Sequence, residues 1–331
     1  MRAIFCSGWG KPESLTIGTA QTPRPGTGEV LIAARAWGVN FADLVLIGGH
    51  YHVKPPFPFI PGMEVAGEVV ATGPGAGAFQ PGDRVAAYVE HGGYAERVVA
   101  KVAATMHLPL GMGFEAGAAF SVAYSTAYVA LRHRARLQAG ETLLVLGAAG
   151  GVGLAAVEVG RQLGATVIAA AGDEDKLRVA AEHGAHDLVN YRSSDLRECV
   201  LELTNGRGVD AVFDPLGGDA FDAALRCLAF GGRLVVIGFA SGRIPSASAG
   251  RLLVKGCAVV GSSLTFTLQH RPDVLAAAYD ELTQWYAEGA IRPRVSQVLP
   301  FERVAEALRL IADRKSTGKI VLIESRTSLH L

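Results

Sequence analysis

The chain of 331 residues lacks most of what would mark a metal-cluster, secreted or nucleic-acid-binding protein. Cysteine is scarce. Cys6, Cys199, Cys227 and Cys257 stand far apart, with no C-x-x-C pair and no Cys/His cluster. That spacing argues against a disulfide framework or a structural zinc lobe and suits scattered thiols in a reducing compartment. Net charge is missing too, because 31 basic residues balance 31 acidic ones. A neutral chain carries no overall footprint for nucleic acid or an anionic membrane, so neither is an expected partner. No uninterrupted apolar run reaches about 18 residues, so no membrane span is expected. The start, Met1-Arg2-Ala3-Ile4-Phe5, reads as a strand and lacks the apolar stretch of a signal peptide. The expected location is the cytoplasm.

What is present is apolar residues, at 50%, and glycine, at 41 positions without a short repeat. At roughly 100–200 residues per domain, two domains are expected. Up to about residue 120, short apolar runs such as Glu29 to Trp37, Met63 to Ala71 and Arg84 to Val89 alternate with Pro/Gly turns. That pattern predicts a β-rich unit. From about 122 to 263, strands and helices alternate. Strands are predicted at Thr142 to Leu146, Thr166 to Ala171, Asp187 to Asn190, Val209 to Phe213, Arg233 to Ile237 and Ala258 to Val260. Helices are predicted at Gly151 to Leu163, Asp173 to His183 (Asp173 as N-cap), Ser194 to Leu203 (opened by Ser193 or Ser194) and Phe221 to Leu228. Such alternation predicts a parallel sheet covered on both faces. Pro272 to Glu288 and Phe301 to Asp313 read as amphipathic helices. The final strand, Lys319 to Ile323, is expected to return to the first unit and make it discontinuous.

The strand Thr142 to Leu146 runs into Gly147, then Ala148, Ala149, Gly150, Gly151, Val152 and Gly153, and then a helix. This is the dinucleotide fingerprint G-x-G-x-x-G with Ala148 at its first position. Small residues are needed there for a tight turn, for close backbone approach to the pyrophosphate and for helix–strand packing. The strand before and the helix after make the motif credible, and no Lys-Ser/Thr follows that would make it a Walker loop. The second strand ends Ala169-Ala170-Ala171-Gly172. Asp173 has the spacing of an acid that binds a ribose 2′-hydroxyl, but it also suits a helix cap. Lys176, Tyr191 and Arg192 are candidates for a 2′-phosphate, against the alternative of solvated charges.

These features together resemble the medium-chain dehydrogenase/reductase superfamily, and within it the zinc-free quinone oxidoreductase family. The resemblance runs over nearly the whole chain. Its first half contains Gly38-Val39-Asn40-Phe41-Ala42-Asp43, Pro61-Gly62-Met63-Glu64-Val65-Ala66-Gly67, Gly82-Asp83-Arg84-Val85 and Gly92-Gly93-Tyr94-Ala95-Glu96. After the glycine loop come Val209-Asp210-Ala211-Val212-Phe213-Asp214-Pro215-Leu216-Gly217-Gly218, Gly231-Gly232-Arg233 and Thr317-Gly318-Lys319-Ile320-Val321-Leu322. The resemblance implies an α/β fold: a Rossmann doubly wound parallel sheet at 123–263, inserted in a β-rich, GroES-like catalytic domain at 1–122 and 264–331, with the active site in the cleft between them. Zinc-dependent relatives carry a Cys where this chain has Asn40 and a His where it has Met63. Amide and thioether cannot replace thiolate and imidazole as zinc ligands, so no zinc is expected.

By resemblance, Asn40 and Thr126 contact the nicotinamide end, and the backbone at Gly238, Phe239 and Ala240 and at Ser263 and Leu264 lines the same region. Gly172, Lys176 and Tyr191 match positions that hold the 2′-phosphate of NADPH, and Ala171 stands where NAD-using relatives have their acid. Lys319 matches a basic position near the pyrophosphate, and Arg314 matches another cofactor-side arginine. Tyr51 matches an active-site tyrosine, either a proton donor or simply a pocket wall with solvent supplying the proton. A second tyrosine of some relatives falls at Val45. The implied activity is hydride transfer from NADPH to a quinone or enone. An enoyl or alkenal C=C reductase of the same fold and a non-catalytic NADPH-binding protein are the alternatives. The expected partner is a second copy, a homodimer formed through the apolar strand Ala258 to Val260, against the alternative that this strand is interior.

Overall fold

The computed structural model describes residues 1–325. The chain divides into two compact units. The first holds Met1–Val122, Leu268–Thr283 and the chain from Pro293 onward; the second holds Ala123–Thr267 and Gln284–Arg292. The sequence reading placed the return to the first unit at residue 264. In the structure it falls at Leu268, and Gln284–Arg292 groups with the second unit.

The first unit opens with the antiparallel pair β1 (Arg2–Phe5) and β2 (Thr16–Thr19). β3 (Glu29–Val39) is flanked by β4 (Glu64–Thr72) and β6 (Arg97–Lys101), and β4 continues to β5 (Arg84–Tyr88) and β7 (Thr105–His107). β3 is buried along almost its whole length because it lies inside this sheet. Its Trp37 donates from Nε1 to the Ala95 carbonyl at 2.9 Å, and the ring packs on Phe301 at 4.4 Å. After β3 comes the short helix α1 (Phe41–Ile47), and after β7 the one-turn helix α2 (Phe114–Ala118).

α3 (Ser121–Tyr128) leads into the second unit. Its strands β8 (Thr142–Leu146), β9 (Thr166–Ala171), β10 (Asp187–Asn190), β11 (Val209–Asp214), β12 (Leu228–Val236) and β13 (Ala258–Gly261) form one parallel sheet in the order β10-β9-β8-β11-β12-β13. Leu143 to Leu146 and Val212 to Phe213 are wholly buried, as strands covered on both faces require. The helices are α4 (Gly151–Gln162), α5 (Glu174–Glu182), α6 (Leu196–Leu203), α7 (Gly218–Cys227) and α8 (Ala249–Lys255). Gly160 lets α4 lie close to the sheet, since a Cβ there would stand 2.5 Å from the Leu143 side chain. Asp173 caps α5 as read, accepting from the Lys176 N–H at 2.9 Å. α6 starts later than expected. Asp195, not Ser193 or Ser194, accepts from the Glu198 N–H at 2.9 Å, and this register turns Leu196 and Val200 inward.

α9 (Leu264–His270) and α10 (Pro272–Ala287) follow; β14 (Val295–Pro300), α11 (Val304–Ala312) and β15 (Lys319–Ile323) complete the first unit. β15 lies between β14 and β3, so the terminal strand does join the first sheet, in its interior. The sequence reading missed β14. This strand is an edge whose Val298 is 45% exposed, and it ends in Pro300, so it lacks a continuous apolar signal. Among the described residues no helix is long and apolar enough to cross a membrane.

Candidate functional site

All strands of the second unit's sheet are parallel, so their carboxyl ends share one edge. In the order β10-β9-β8-β11-β12-β13, the direction of winding reverses between β8 and β11, and ligands of such sheets sit outside the strand ends at that switch. Most residues singled out from the sequence fall on this edge: the glycine loop after β8, Gly172 and Lys176 after β9, Tyr191 after β10, Gly238 to Ala240 after β12, and Ser263 and Leu264 after β13.

The glycine loop is a tight turn with bare backbone. Gly147 makes the turn with φ 58°, so the left-handed position precedes Ala148. Ala148 needs no such conformation and is buried, its N–H bonded to the Ala170 carbonyl at 3.1 Å. Gly153 has no room for a side chain: a Cβ would stand 2.2 Å from the Gly147 carbonyl oxygen. Gly150 is the N-cap of α4 and no side chain caps this helix, so the N–H groups of its first turn face outward with the positive end of the helix dipole. Gly150, Gly151 and Val152 are partly exposed, while Ala149 is buried beneath them.

At the end of β9, the Asp173 carboxylate caps α5 and pairs with Lys176 Nζ at 3.3 Å. The Lys176 N–H, with help from the charges of Lys176 and Arg192, holds this carboxyl below the usual range. Lys176 Nζ is thus paired with Asp173 in this structure. β10 pairs Asn190 with Ala171, which brings Tyr191 beside Gly172; the Tyr191 N–H donates to the Ala171 carbonyl at 3.2 Å. After β12, the loop at Gly238 to Ala240 is tied to the turn that follows β11: the Ala240 N–H donates to Pro215 O at 3.1 Å and the Ser241 N–H to Leu216 O at 2.9 Å. Asp214 shapes that turn. Its Oδ1 accepts from the N–H groups of Leu216 at 2.8 Å and Gly217 at 2.9 Å, and burial pushes its carboxyl up. Sequence reading gave Asp214 no role; a buried aspartate just before Pro-Leu-Gly-Gly is the signal for such a turn. Ser263 Oγ accepts from the Phe266 N–H at 3.4 Å at the start of α9, and Thr126 lies half-buried on α3.

The first unit holds a second group of buried polar residues. Glu64 is its hub. One oxygen accepts from Ser121 Oγ at 3.0 Å and the Val122 N–H at 2.7 Å; the other accepts from Lys319 Nζ at 2.7 Å and Asn40 Nδ2 at 3.2 Å. Lys319 also donates to Asn40 Oδ1 at 2.5 Å and to the Val39 carbonyl at 3.1 Å. An ammonium has three donors, and all three are taken. In this structure Lys319, read from the resemblance as matching a basic position near the pyrophosphate, neutralises Glu64 and fixes Asn40. Gly38 makes the space, since a Cβ there would lie 2.4 Å from the Glu64 carboxylate. Asn40 opens α1, and Asp43 returns to it, accepting from the Asn40 N–H at 2.8 Å and from Tyr94 Oη at 2.7 Å. Met63 is packed in the core at 1% exposure. Tyr51 sits in the loop after α1, its ring 4.2 Å from that of His52. Arg314 follows α11 in a left-handed conformation, φ 58°.

A doubly wound parallel sheet with a glycine cradle at its switch point, in one chain with a β-rich unit closed by the C-terminal strand, defines a dehydrogenase/reductase of the medium-chain type. Comparison with known proteins agrees. The pattern described as "Alcohol dehydrogenase GroES-like domain" matches residues 26–130, and "Zinc-binding dehydrogenase" matches residues 151–282. The chain is 36% identical over 323 residues to a quinone oxidoreductase-like protein 2 homolog of Nematostella vectensis, covering 97% of this chain and 88% of that one. It is 34% identical to a quinone oxidoreductase of Homo sapiens, covering 98% of each. The Escherichia coli quinone oxidoreductase solved in complex with NADPH superposes with TM-score 0.91 at 31% identity, over 98% of this chain and 100% of that one. The chain belongs to the quinone oxidoreductase-like family of the medium-chain dehydrogenase/reductase superfamily and is an oxidoreductase of that type. Although one matched pattern is named for zinc, no group of three or more His, Cys, Asp or Glu among the described residues is placed to hold a metal.

Proposed function

We propose that this protein transfers a hydride from NADPH to a quinone or a similarly electron-poor acceptor, without a metal. The observation that carries the reading is the glycine cradle on the carboxyl edge of the parallel sheet, with Gly172, Lys176 and Tyr191 grouped at the ends of the next two strands. The cradle fits a pyrophosphate: its first-turn N–H groups are uncapped, and a side chain at Gly153 is ruled out by backbone contact. Residues 148 to 153 would hold the pyrophosphate; Gly172, Lys176 and Tyr191 the 2′-phosphate; and Thr126, Gly238 to Ala240, Ser263 and Leu264 the nicotinamide end. No acid stands at the end of β9, where Ala171 lies, and Asp173 is engaged in capping. Both favour NADPH over NADH.

When bound, the nicotinamide supplies the hydride. The protein's own residues position and shield it. Asn40 is held rigid by Lys319 and Glu64, and occupies the place of a zinc ligand in metal-dependent relatives; Met63 occupies that of another. Neither side chain suits zinc, so an acceptor that needs no Lewis acid is favoured. Tyr51 is the candidate to donate a proton or a hydrogen bond to the reduced acceptor. Two copies are proposed to pair through β13, an edge strand that bonds only to β12 among the described residues. Four cysteines without disulfides suit a reducing, cytoplasmic setting.

Steady-state assays with quinones, enones and enoyl thioesters, each with NADPH and NADH, test the reading. The highest kcat/KM is expected for a quinone with NADPH. A much higher value for enoyl thioesters would replace it with C=C reduction, and cofactor binding without turnover on any acceptor would replace it with a binding protein.

A further inference from the structure

We propose that Asp214 is a positioning residue for hydride transfer: it fixes the loop 237–243 through the turn after β11, while Arg243 latches the far end of that loop to α7. The proposal rests on the reading that Gly238 to Ala240 line the nicotinamide end, and it assigns the residues that hold this lining in place. β11 ends at Asp214 and β12 at Val236, and these two residues are paired in the parallel sheet. From 237 to 248 the chain forms neither helix nor strand. Residues 237–243 take their shape from the turn after β11. The Ile237 N–H donates to the Asp214 carbonyl at 2.9 Å, and the N–H groups of Ala240 and Ser241 donate to the carbonyls of Pro215 and Leu216. In return the Gly218 N–H donates to the Arg243 carbonyl at 3.1 Å. The turn and the loop meet with no side chain between them. A Cβ on Gly217 would stand 2.9 Å from Phe239 Cδ1, and one on Gly218 2.5 Å from Ser241 Oγ. Both glycines also hold a left-handed φ, 64° and 58°.

Asp214 sets the turn that carries these carbonyls. Its Oδ1 gathers the N–H groups of Leu216 and Gly217, the reach of a short side chain to the residues just ahead of it. That bend aims the Pro215 and Leu216 carbonyls at the loop. Asp214 is wholly buried, and its Oδ2 has no partner among the described residues. A buried carboxyl with an idle oxygen costs free energy. Such a cost is tolerated where geometry matters more than stability. Beside a reacting ring, a misplacement of about 1 Å costs about a hundredfold in rate. At the far end of the loop, Arg243 Nη2 pairs with Asp219 Oδ1 at 2.9 Å and Asp222 Oδ2 at 2.5 Å, both on α7. These pairs are on the surface and contribute little to global stability; what they restrain is the loop.

Hydrogen exchange read by mass spectrometry, with calorimetric titration of the full chain by 2′,5′-ADP and by NADP⁺, tests this without turnover. The first ligand has no nicotinamide; the second has. D214A is expected to speed exchange across 237–243 and to leave 2′,5′-ADP affinity within about twofold. It should weaken NADP⁺ about tenfold, the effect of leaving two N–H groups unbonded. With a quinone, kcat should fall about tenfold or more while KM for the quinone changes by less than about twofold. D214N keeps an oxygen for both N–H groups and should recover most of each loss. R243Q alters an exposed side chain and keeps the fold even where D214A does not. It should speed exchange in the same loop and weaken NADP⁺ about threefold. Equal losses for both ligands, or unchanged exchange and NADP⁺ affinity in these variants, would overturn the positioning role and leave the nicotinamide reading standing. A parent in which NADP⁺ does not slow exchange across 237–243 would overturn the reading of Gly238 to Ala240 as the nicotinamide end, and the role of Asp214 with it.

Discussion

Asp43 is a carboxyl sealed in the first unit. Its Oδ2 takes hydrogen bonds from Tyr94 and Asn40, while its Oδ1 has no partner. Burial pushes its pKa up from 3.8 to about 6; Tyr94, Asn40 and the charge of Lys319 oppose the rise, and Glu64 adds to it. The folded state therefore holds a proton that the unfolded chain releases, and the associated stability is lost as pH rises from about 4 through 6. The whole effect amounts to about 3 kcal/mol. D43N keeps an oxygen for both donors and removes the charge. Urea unfolding of D43N and parent at pH 4.5 and pH 7 should show the variant gaining on the parent as pH rises; a gap that does not change with pH would contradict the assignment. At this scale the sequence was only partly readable. Asn40 and Glu64 were visible as motif residues, but nothing in the spacing showed that Lys319, 255 residues from Glu64, would be their cation. Pairing across such a separation is decided by the sheet register, not by neighbours in the chain.

Among elements, the strand, glycine loop and α4 make the most direct prediction. Gly153 and Gly150 look alike in the fingerprint but do different work. A Cβ at 153 strikes backbone at 2.2 Å, whereas at 150 the nearest atom is 3.4 Å away and φ is an ordinary −75°. G153A should lose about 2 kcal/mol or more of stability together with cofactor affinity. G150A should melt within about 2 °C of the parent yet bind NADPH at least about tenfold more weakly, because the methyl stands where the pyrophosphate must approach. Thermal melts and fluorescence titration separate the two; equal melting losses would undo the distinction. The strands of this sheet were legible because double burial makes them continuously apolar, and Thr142–Leu146 and Thr166–Ala171 begin and end as read. β14 was not, since one side of it is open and its pattern is mixed.

For the whole molecule, the prediction concerns the second copy. β13 is a sheet edge, and Phe230, Leu253 and Val254 are 90%, 83% and 84% exposed close to it; the Phe230 ring reaches to within 2.7 Å of where a Cβ on Gly256 would lie. Exposed apolar side chains beside an unpaired edge suit a self-complementary strand pairing about a two-fold axis. The parent should elute as a dimer in light-scattering chromatography, and V254D or F230D should shift it to monomer with its far-UV spectrum retained. A monomeric parent would rule out this surface.

The place of β15 has a consequence in time. The hydrogen bond from Lys319 to Val39 spans 280 residues, and β15 fills an interior lane of the first sheet. On a ribosome adding about 5–20 residues per second, β3 waits for its neighbour for about 15–60 seconds. The inserted parallel sheet, by contrast, has all its strands by Gly261 and can condense while the rest is still being made. During that interval β6 already pairs the Glu29–Ala33 part of β3, and only its Ala36–Val39 end is an open hydrogen-bonding edge flanked by apolar side chains. Nascent chains of this protein therefore carry their greatest aggregation hazard midway through synthesis, and holding chaperones should engage them then rather than after release.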